Sequence, residues 1–292
     1  MSHAQLLRQL ISAPEILVAP GGYDALSASL IEKSGFEAMY LSGASIAYTR
    51  FGRPDIGLVS MNEVAETISV IRERTNLPMI VDADTGFGNA INVQRTVKLF
   101  ERCGASAIQL EDQQMPKRCG HLKGKSLVSQ AEMVGKIRAA VDARANPDTM
   151  IIARTDAIAV EGFESALLRA MAYYQAGADM LFIEAPESLE QMQQLNQVFA
   201  GKIPLLANMV EGGSTPIEKA QDLQNMGYNL AIFPGALVRA YTYMAQEFLA
   251  SLKDHGNTNQ YRDRMLDLTG LNTLLGTDEI LANGKQYEAN HE

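Results

Sequence analysis

The chain has 292 residues, 47% of them apolar and 20% charged, which is enough to bury a large core in one big domain or two small ones and excludes a disordered segment. A formal net charge of -9 excludes the extended positive surface that broad nucleic-acid or anionic-membrane binding requires, so an anionic ligand has to be captured locally. Two cysteines, Cys103 and Cys119, exclude a disulfide framework and suit a reducing cytoplasm; Met1-Ser2-His3-Ala4-Gln5 is no export leader, and no run reaches the roughly 20 apolar residues of a membrane span.

Ser2 is placed to cap a short first helix. Beyond it, short apolar runs that end in glycine or a polar cluster alternate with longer stretches of helical spacing. The predicted strands are Ile16 to Ala19, Ala38 to Leu41, Met79 to Val81, Ala107 to Leu110, Met150 to Ala153, Met180 to Ile183, Leu205 to Ala207 and Leu230 to Phe233. Near-continuous apolar strands fit a parallel sheet buried on both faces, and eight βα units in about 250 residues match a closed (β/α)8 barrel of the TIM type. A doubly wound open sheet would call for Gly-x-Gly-x-x-Gly early on, whereas Gly21-Gly22 leads into Tyr23-Asp24. The stretch from Leu237 to Leu252 is more apolar than one exposed helix needs, which predicts a packing partner. The polar run from His255 to Asn259 divides a barrel domain, residues 1–254, from a C-terminal helical tail, residues 255–292.

Polar residues follow nearly every predicted strand: Tyr23-Asp24, Ser42-Gly43, Asp82-Ala83-Asp84, Glu111-Asp112, Arg154-Thr155-Asp156, Glu184, Asn208 and Pro234. In a barrel of this class the chemistry sits on the rim at the strand C-termini, so these groups converge there. Asp82 and Asp84, two apart, point the same way on an extended strand end; with Glu111 and Asp55 they form the oxygen-rich set that a hard cation prefers. His3, His255 and His291 have no ligand spacing and read as solvent-exposed, which disfavours zinc, and Cys103 reads as a packed thiol. Cys119 lies among Lys117, Arg118 and His121 in a polar segment running from Gln113 to Lys125, with Gly120 and Gly124 as hinge points. The cations favour its thiolate, and the segment suits a lid that carries a proton donor. Arg154 is suited to a carboxylate, an oxyanion or a salt bridge to Glu184, and the backbone amides from Val210 to Ser214 to a carboxylate, a phosphate or a plain turn.

From about Pro14 to Leu252 the chain resembles the isocitrate lyase and phosphoenolpyruvate mutase superfamily. The matching segments are Tyr40 to Gly43, Gly52 to Asp55, Val81 to Gly88, Leu110 to Gln113, Lys117 to His121, Ala153 to Asp156 and Ala207 to Gly213. The resemblance implies a required Mg²⁺, replaceable by Mn²⁺, held by Asp82 directly and by Asp55, Asp84 and Glu111 through water. It implies a homotetramer that exchanges the eighth helix between subunits. Ser42, Gly43 and Ala44 then hold an α-keto carboxylate, Arg154 the keto-acid oxygens, and Asp82, Gly120, Glu184, Asn208, Gly212, Gly213 and Pro234 line the substrate pocket. Lys117, Arg118 and His121 close the lid, Cys119 protonates the departing carbanion, and Tyr40 or Asp55 serves as base. The motif Lys-Arg-Cys-Gly-His belongs mostly to lyases, and the chain lacks the inserted helices of true isocitrate lyases. The expected activity is cleavage of a 2-hydroxy di- or tricarboxylate of the 2-methylisocitrate or 2,3-dimethylmalate type to an α-keto acid such as pyruvate. The alternatives are a carboxyphosphonoenolpyruvate phosphonomutase, an oxaloacetate decarboxylase or hydrolase, for which Pro234 is the wrong residue, and a non-catalytic carboxylate-binding barrel.

Overall fold

The Ser2 hydroxyl accepts a 3.1 Å hydrogen bond from the Gln5 amide and starts helix α1 (His3–Ser12), the cap that the sequence predicts. The structure, a computed structural model, describes residues 1–120, 122–216 and 218–288. Within them run the strands β1 (Leu17–Gly22), β2 (Met39–Leu41), β3 (Met79–Asp82), β4 (Ala107–Glu111), β5 (Met150–Thr155), β6 (Met180–Ile183), β7 (Leu205–Asn208) and β8 (Leu230–Phe233). All pair in parallel and in chain order, and β1 closes onto β8 through Leu17 opposite Leu230 and Ala19 opposite Ile232. The helices are α2 (Ala25–Lys33), α3 (Gly43–Phe51), α4 (Met61–Arg74), α5 (Ala90–Cys103), α6 (Gln130–Ala143), α7 (Ile158–Glu161), α8 (Phe163–Gln175), α9 (Leu189–Phe199), α10 (Ala220–Met226), α11 (Ala236–His255), α12 (Leu268–Leu275) and α13 (Thr277–Lys285). The (β/α)8 barrel expected from the sequence is the observed fold, and no helix among the described residues is long and apolar enough to cross a membrane.

Side chains alternate along a strand, and the two apolar clusters of the barrel follow that alternation. Ile80, Ile152, Met180, Phe182, Leu206, Leu230 and Ile232 fill the interior, and Leu7 and Ile11 of α1 join them, plugging one end. Their strand neighbours Met79, Val81, Ile151, Ala153, Leu181, Ala207 and Ala231 pack outward against helical residues such as Ile68, Phe100 and Met133. Cys103, at the end of α5, packs against this outer cluster, as expected of a structural thiol. His3 is half-buried on α1 rather than solvent-exposed, and burial lowers its pKa. His291 lies outside the described residues.

The chain resolves into two compact units, Met1–Val238 and Arg239–Glu292. Helix α11, which contains no glycine or proline, runs unbroken across this division to His255. Within the second unit, the Tyr261 hydroxyl donates to Glu247 Oε2 over 3.1 Å and its ring meets Phe248 edge-on.

Candidate active site

One step beyond the inward apolar residues, the same alternation carries polar side chains into the barrel mouth: Asp82 follows Ile80, Arg154 follows Ile152, Glu184 follows Phe182 and Asn208 follows Leu206. Strands β3, β4, β5 and β7 extend one or two residues further than predicted, so Asp82, Glu111, Arg154 and Asn208 are ladder residues rather than loop residues. Their backbone is fixed by the barrel, and their direction is therefore fixed too.

Arg154 stands at the centre. Its Nε and Nη2 donate to Asp156 Oδ2 and Oδ1 at 2.8 and 3.1 Å; Nε lies 3.2 Å from Glu111 Oε2, and Nη2 3.2 Å from Glu184 Oε2. The guanidinium also lies over the Phe182 ring, 4.9 Å from its centroid. Burial opposes the charge, but Asp156, Glu111 and Glu184 hold Arg154 firmly protonated. Asn208 Nδ2 donates to both Glu184 oxygens at 3.1 and 3.3 Å, while its Oδ1, buried, has no hydrogen-bond partner among the described residues.

Asp82 and Asp84 do not meet through strand alternation. Asp84 takes a left-handed conformation, φ 46°, and its amide donates to Asp82 Oδ1 at 3.1 Å, so a turn brings the two carboxylates together. Both abut the start of α3: a Cβ on Gly43 would lie 3.3 Å from Asp82 Oδ2 and 3.7 Å from Asp84 Oδ1. Ser42 caps that helix through the Ser45 amide at 3.2 Å, and first-turn amides such as those of Gly43 and Ala44 lack intrahelical acceptors, which makes this end of α3 attractive to an anion. Ser45 Oγ in turn donates to the Pro234 carbonyl at 3.1 Å.

Tyr40 donates its hydroxyl proton to Gln109 Oε1 at 2.9 Å, and Gln109 Nε2 donates to Asp82 Oδ1 at 3.2 Å. Burial, reinforced by the Asp82 charge, pushes the phenol well above its ordinary value. Tyr40 thus orients Asp82 through Gln109, an arrangement that opposes the base role expected of it.

The segment after β4 folds back on itself, with Gln113 and Leu127 bridged antiparallel and the Gln114 amide donating to the Ser126 carbonyl at 2.8 Å. It covers the mouth. Lys117 is buried, its Nζ 2.5 Å from Asp55 Oδ1 and 2.6 Å from Asp84 Oδ1. Burial opposes this charge, yet Asp84, Glu111, Asp55 and Asp82 together raise the ammonium well above its usual range. The Cys119 amide donates to the Asp55 carbonyl at 3.3 Å, and the residue is half-buried. Gly120 seats against the arginine so closely that a Cβ there would lie 2.5 Å from both Arg154 Nη2 and Glu184 Oε2. Arg118, by contrast, is exposed and braces the segment itself, its guanidinium donating to the Lys123 carbonyl and its backbone pairing with the Gln113 amide group. His121 lies outside the described residues. Gly212 and Gly213 form a turn, in which the Gly213 amide donates to the Val210 carbonyl at 2.9 Å instead of standing open as the sequence suggested.

Three residues that sequence reasoning left without a role, Asp156, Lys125 and Asp112, complete the cluster. Asp156 orients Arg154 and also accepts Lys125 Nζ at 2.8 Å; burial works against its charge, but Arg154 and Lys125 hold it at about 2. Asp112 anchors it, with Oδ1 accepting the Asp156 amide at 3.0 Å and Oδ2 accepting Thr155 and Tyr173 hydroxyls at 2.7 Å each. The signal for Asp156 was its place two residues beyond Arg154. Lys125 had none, because an irregular segment has no period from which to read direction.

The buried carboxylates Asp55, Asp82, Asp84, Glu111, Asp156 and Glu184 face the three cations Lys117, Lys125 and Arg154, a formal excess of three negative charges. Burial pushes Glu111 well up and Asp84 to about 7, and Glu111 Oε1 has no hydrogen-bond partner among the described residues. No group of three such side chains among the described residues is close enough to hold an ion as arranged, and the Lys117 ammonium stands where Asp55 and Asp84 meet. An all-oxygen donor set with uncompensated charge and an unpartnered oxygen fits a hard divalent cation.

Residues 7–253 match the family model described as phosphoenolpyruvate phosphomutase. The chain is 46% identical over 280 residues to 2,3-dimethylmalate lyase of Eubacterium barkeri, covering 96% of each. It is 47% identical over 271 residues to 2-methylisocitrate lyase of Aeropyrum pernix, covering 93% of this chain and 86% of the relative. Among solved structures, one of 2,3-dimethylmalate lyase superposes with a TM-score of 0.93 at 37% identity, covering 100% of this chain and 97% of that one. A phosphonopyruvate hydrolase complexed with oxalate and Mg²⁺ superposes with a TM-score of 0.89 at 30% identity, covering 98% and 99%.

Proposed function

Because the chain belongs to the phosphoenolpyruvate phosphomutase family, we propose that it is a Mg²⁺-dependent carbon-carbon lyase that cleaves a 2-hydroxy di- or tricarboxylate of the 2,3-dimethylmalate or 2-methylisocitrate type into pyruvate and a second carboxylic acid. The observation that carries this reading is the seating of the Cys119-Gly120 pair on the barrel mouth, with the Cys119 amide on the Asp55 carbonyl and Gly120 packed against Arg154 and Glu184. Relatives named as lyases on both substrates support it.

The cation would be held by Asp82, with Asp55, Asp84 and Glu111 around it, and Mn²⁺ has the same preference for oxygen. When bound, it supplies Lewis-acid stabilisation of oxygen charge on the forming keto acid. The protein's own groups do the rest. Amides of Gly43 and Ala44 at the α3 terminus bind the substrate carboxylate, and Arg154 binds the oxygens at the reacting end. Asp55 takes the hydroxyl proton; the oxygen's electrons form the carbonyl as the adjacent carbon-carbon bond breaks, and the carbanion that leaves takes its proton from Cys119. Lys117, buried against Asp55 and Asp84, keeps the lid seated and water out. Asn208 Oδ1, which has no partner among the described residues, is an acceptor for a hydroxyl or protonated carboxyl of the substrate side group.

The site is completed in a homotetramer that exchanges the eighth helix. The supporting observation is the apolar surface of α11, where Tyr241, Tyr243 and Leu249 are each more than half exposed. A cytoplasmic location accords with two cysteines that form no disulfide.

A coupled pyruvate assay with Mg²⁺ over 2,3-dimethylmalate, 2-methylisocitrate and a phosphonate panel tests the reading, with light scattering for the tetramer. Pyruvate release from one of the two hydroxy acids, lost in Cys119→Ser, is the expected result. Turnover of a phosphonate alone would replace the lyase by a phosphonomutase.

A further inference from the structure

Lysines on irregular surface segments ordinarily leave their ammonium in water. Lys125 does not. Its neighbours Gly124 and Ser126 are exposed, yet its side chain is only 2% exposed and runs inward to Asp156, which is wholly buried. A buried ammonium persists only where charge and hydrogen bonds compensate its desolvation, so its partners define its role.

Those partners belong to different parts of the site. Lys125 Nζ donates to Asp156 Oδ1 at 2.8 Å and also to the carbonyl of Gly120, the residue next to Cys119. The same Oδ1 accepts Arg154 Nη2 at 3.1 Å, while Oδ2 accepts Arg154 Nε at 2.8 Å. Asp156 is itself tied to Asp112 through its amide. One ammonium therefore bridges the thiol-bearing stretch of the lid to the carboxylate that aims the arginine. When the lid lifts, Asp156 loses one of its two cations and Gly120 leaves the face of Arg154, so the closed lid and the aligned guanidinium favour each other.

We propose that Lys125 is a positioning residue that couples seating of the lid, and hence delivery of Cys119, to the alignment of Arg154 through Asp156. This rests on the lyase reading for its catalytic consequence, but not for its structural one. Lys125 touches no reacting atom in this scheme. Its loss should impair the step that needs thiol and guanidinium together more than it impairs capture of substrate.

The test separates the two. Full-length protein is treated with iodoacetamide, with and without Mg²⁺ plus oxalate, a planar dianion of the size of a small keto acid, and alkylation of Cys119 and Cys103 is followed by peptide mass spectrometry. In the wild type, Mg²⁺ and oxalate should slow Cys119 alkylation; in Lys125→Met that protection should weaken by about 10- to 100-fold, the worth of a hydrogen bond between charged partners. Alkylation of Cys103, packed at the end of α5, should be equal in both proteins and reports the intact barrel. With substrate, Lys125→Met should lose about 100-fold in kcat, as expected for sub-ångström to ångström misplacement, with KM changing much less. Lys125→Ala, whose shortened side chain leaves room for an amine, should regain Cys119 protection when ethylammonium is added.

Full Cys119 protection in Lys125→Met would overturn the proposal. So would Lys125→Ala protection that is indifferent to ethylammonium, or a wild-type protein that Mg²⁺ and oxalate do not protect at all. If no hydroxy acid is cleaved by the wild type, the lyase reading falls, while the alkylation result still decides the role of Lys125.

Discussion

The Tyr40 hydroxyl donates to Gln109 Oε1 across 2.9 Å of barrel interior, and Gln109 hands the interaction on to Asp82. A phenol whose proton is already placed, and which burial holds well above its ordinary pKa, is a strut and not a base. Tyr40→Phe is therefore expected to keep substantial activity. The loss in kcat/KM should be at most about tenfold, roughly what one neutral hydrogen bond is worth. A loss of about a thousandfold or more in the pyruvate assay would return Tyr40 to the reacting groups.

Glu111 has one oxygen near Arg154 and another without a partner among the described residues, and burial pushes its carboxyl well up. In metal-free protein it is therefore a burden. Glu111→Gln should be at least as stable as the wild type in EDTA, since an amide spares the folding chain the cost of burying that carboxylate or of protonating it first. Mg²⁺ should raise the thermal midpoint of the wild type by mass action, and EDTA should reverse it. In Glu111→Gln that rise should shrink markedly. Equal Mg²⁺ shifts in both proteins, measured by calorimetry, would remove Glu111 from the cation site.

Asp156 is held at about 2 against the opposing effect of burial, by Arg154 and Lys125. That lies below the ordinary aspartate value of about 3.9, so the carboxylate's contribution to stability is complete above about pH 4 and disappears as the pH falls through 2. Asp156→Asn should then be less stable than the wild type by about 2 to 3 kcal/mol at pH 7, with the gap narrowing between pH 4 and pH 2. Urea unfolding midpoints at pH 7 and pH 3 measure it. A gap that stays constant or widens on acidification would contradict the assignment.

At Gly120, a methyl group would collide with Arg154 and Glu184 at 2.5 Å. Because Gly120 sits on the lid and not in the barrel, the lid can yield where the core cannot. Gly120→Ala should leave the thermal midpoint within a degree or two while lowering kcat/KM by about 100-fold, the scale of a displacement of about 1 Å. A large fall in midpoint instead would show that the lid contributes to the fold.

Much of this was legible before any coordinates. The alternation of strand-like apolar runs and helical stretches specifies the barrel, because strands buried on both faces must be apolar throughout and parallel strands need helical crossovers. Position counting also singled out Asp82, Glu111, Arg154, Glu184 and Asn208: each continues the inward-facing parity of its strand, as Asp82 does from Ile80 and Arg154 from Ile152. Parity is local, and so it can be read from sequence.

Where the chain leaves regular structure, that reading stops. Strand geometry predicted that Asp82 and Asp84 converge, but the left-handed turn at Asp84 is what brings them together. Arg118 and Lys117 are adjacent in sequence, yet one braces the outside of the lid and the other is buried among carboxylates. Lys125 shows the same limit most clearly, since only the fold of the lid decides that its ammonium reaches Asp156, 31 positions away. The amino-acid sequence by itself determined the barrel, its inward residues and the types of group at its mouth, all consequences of short-range period. Tertiary structure alone decided which of those charges neutralise one another, because buried ionic pairing depends on distances of a few ångströms between segments far apart in the chain.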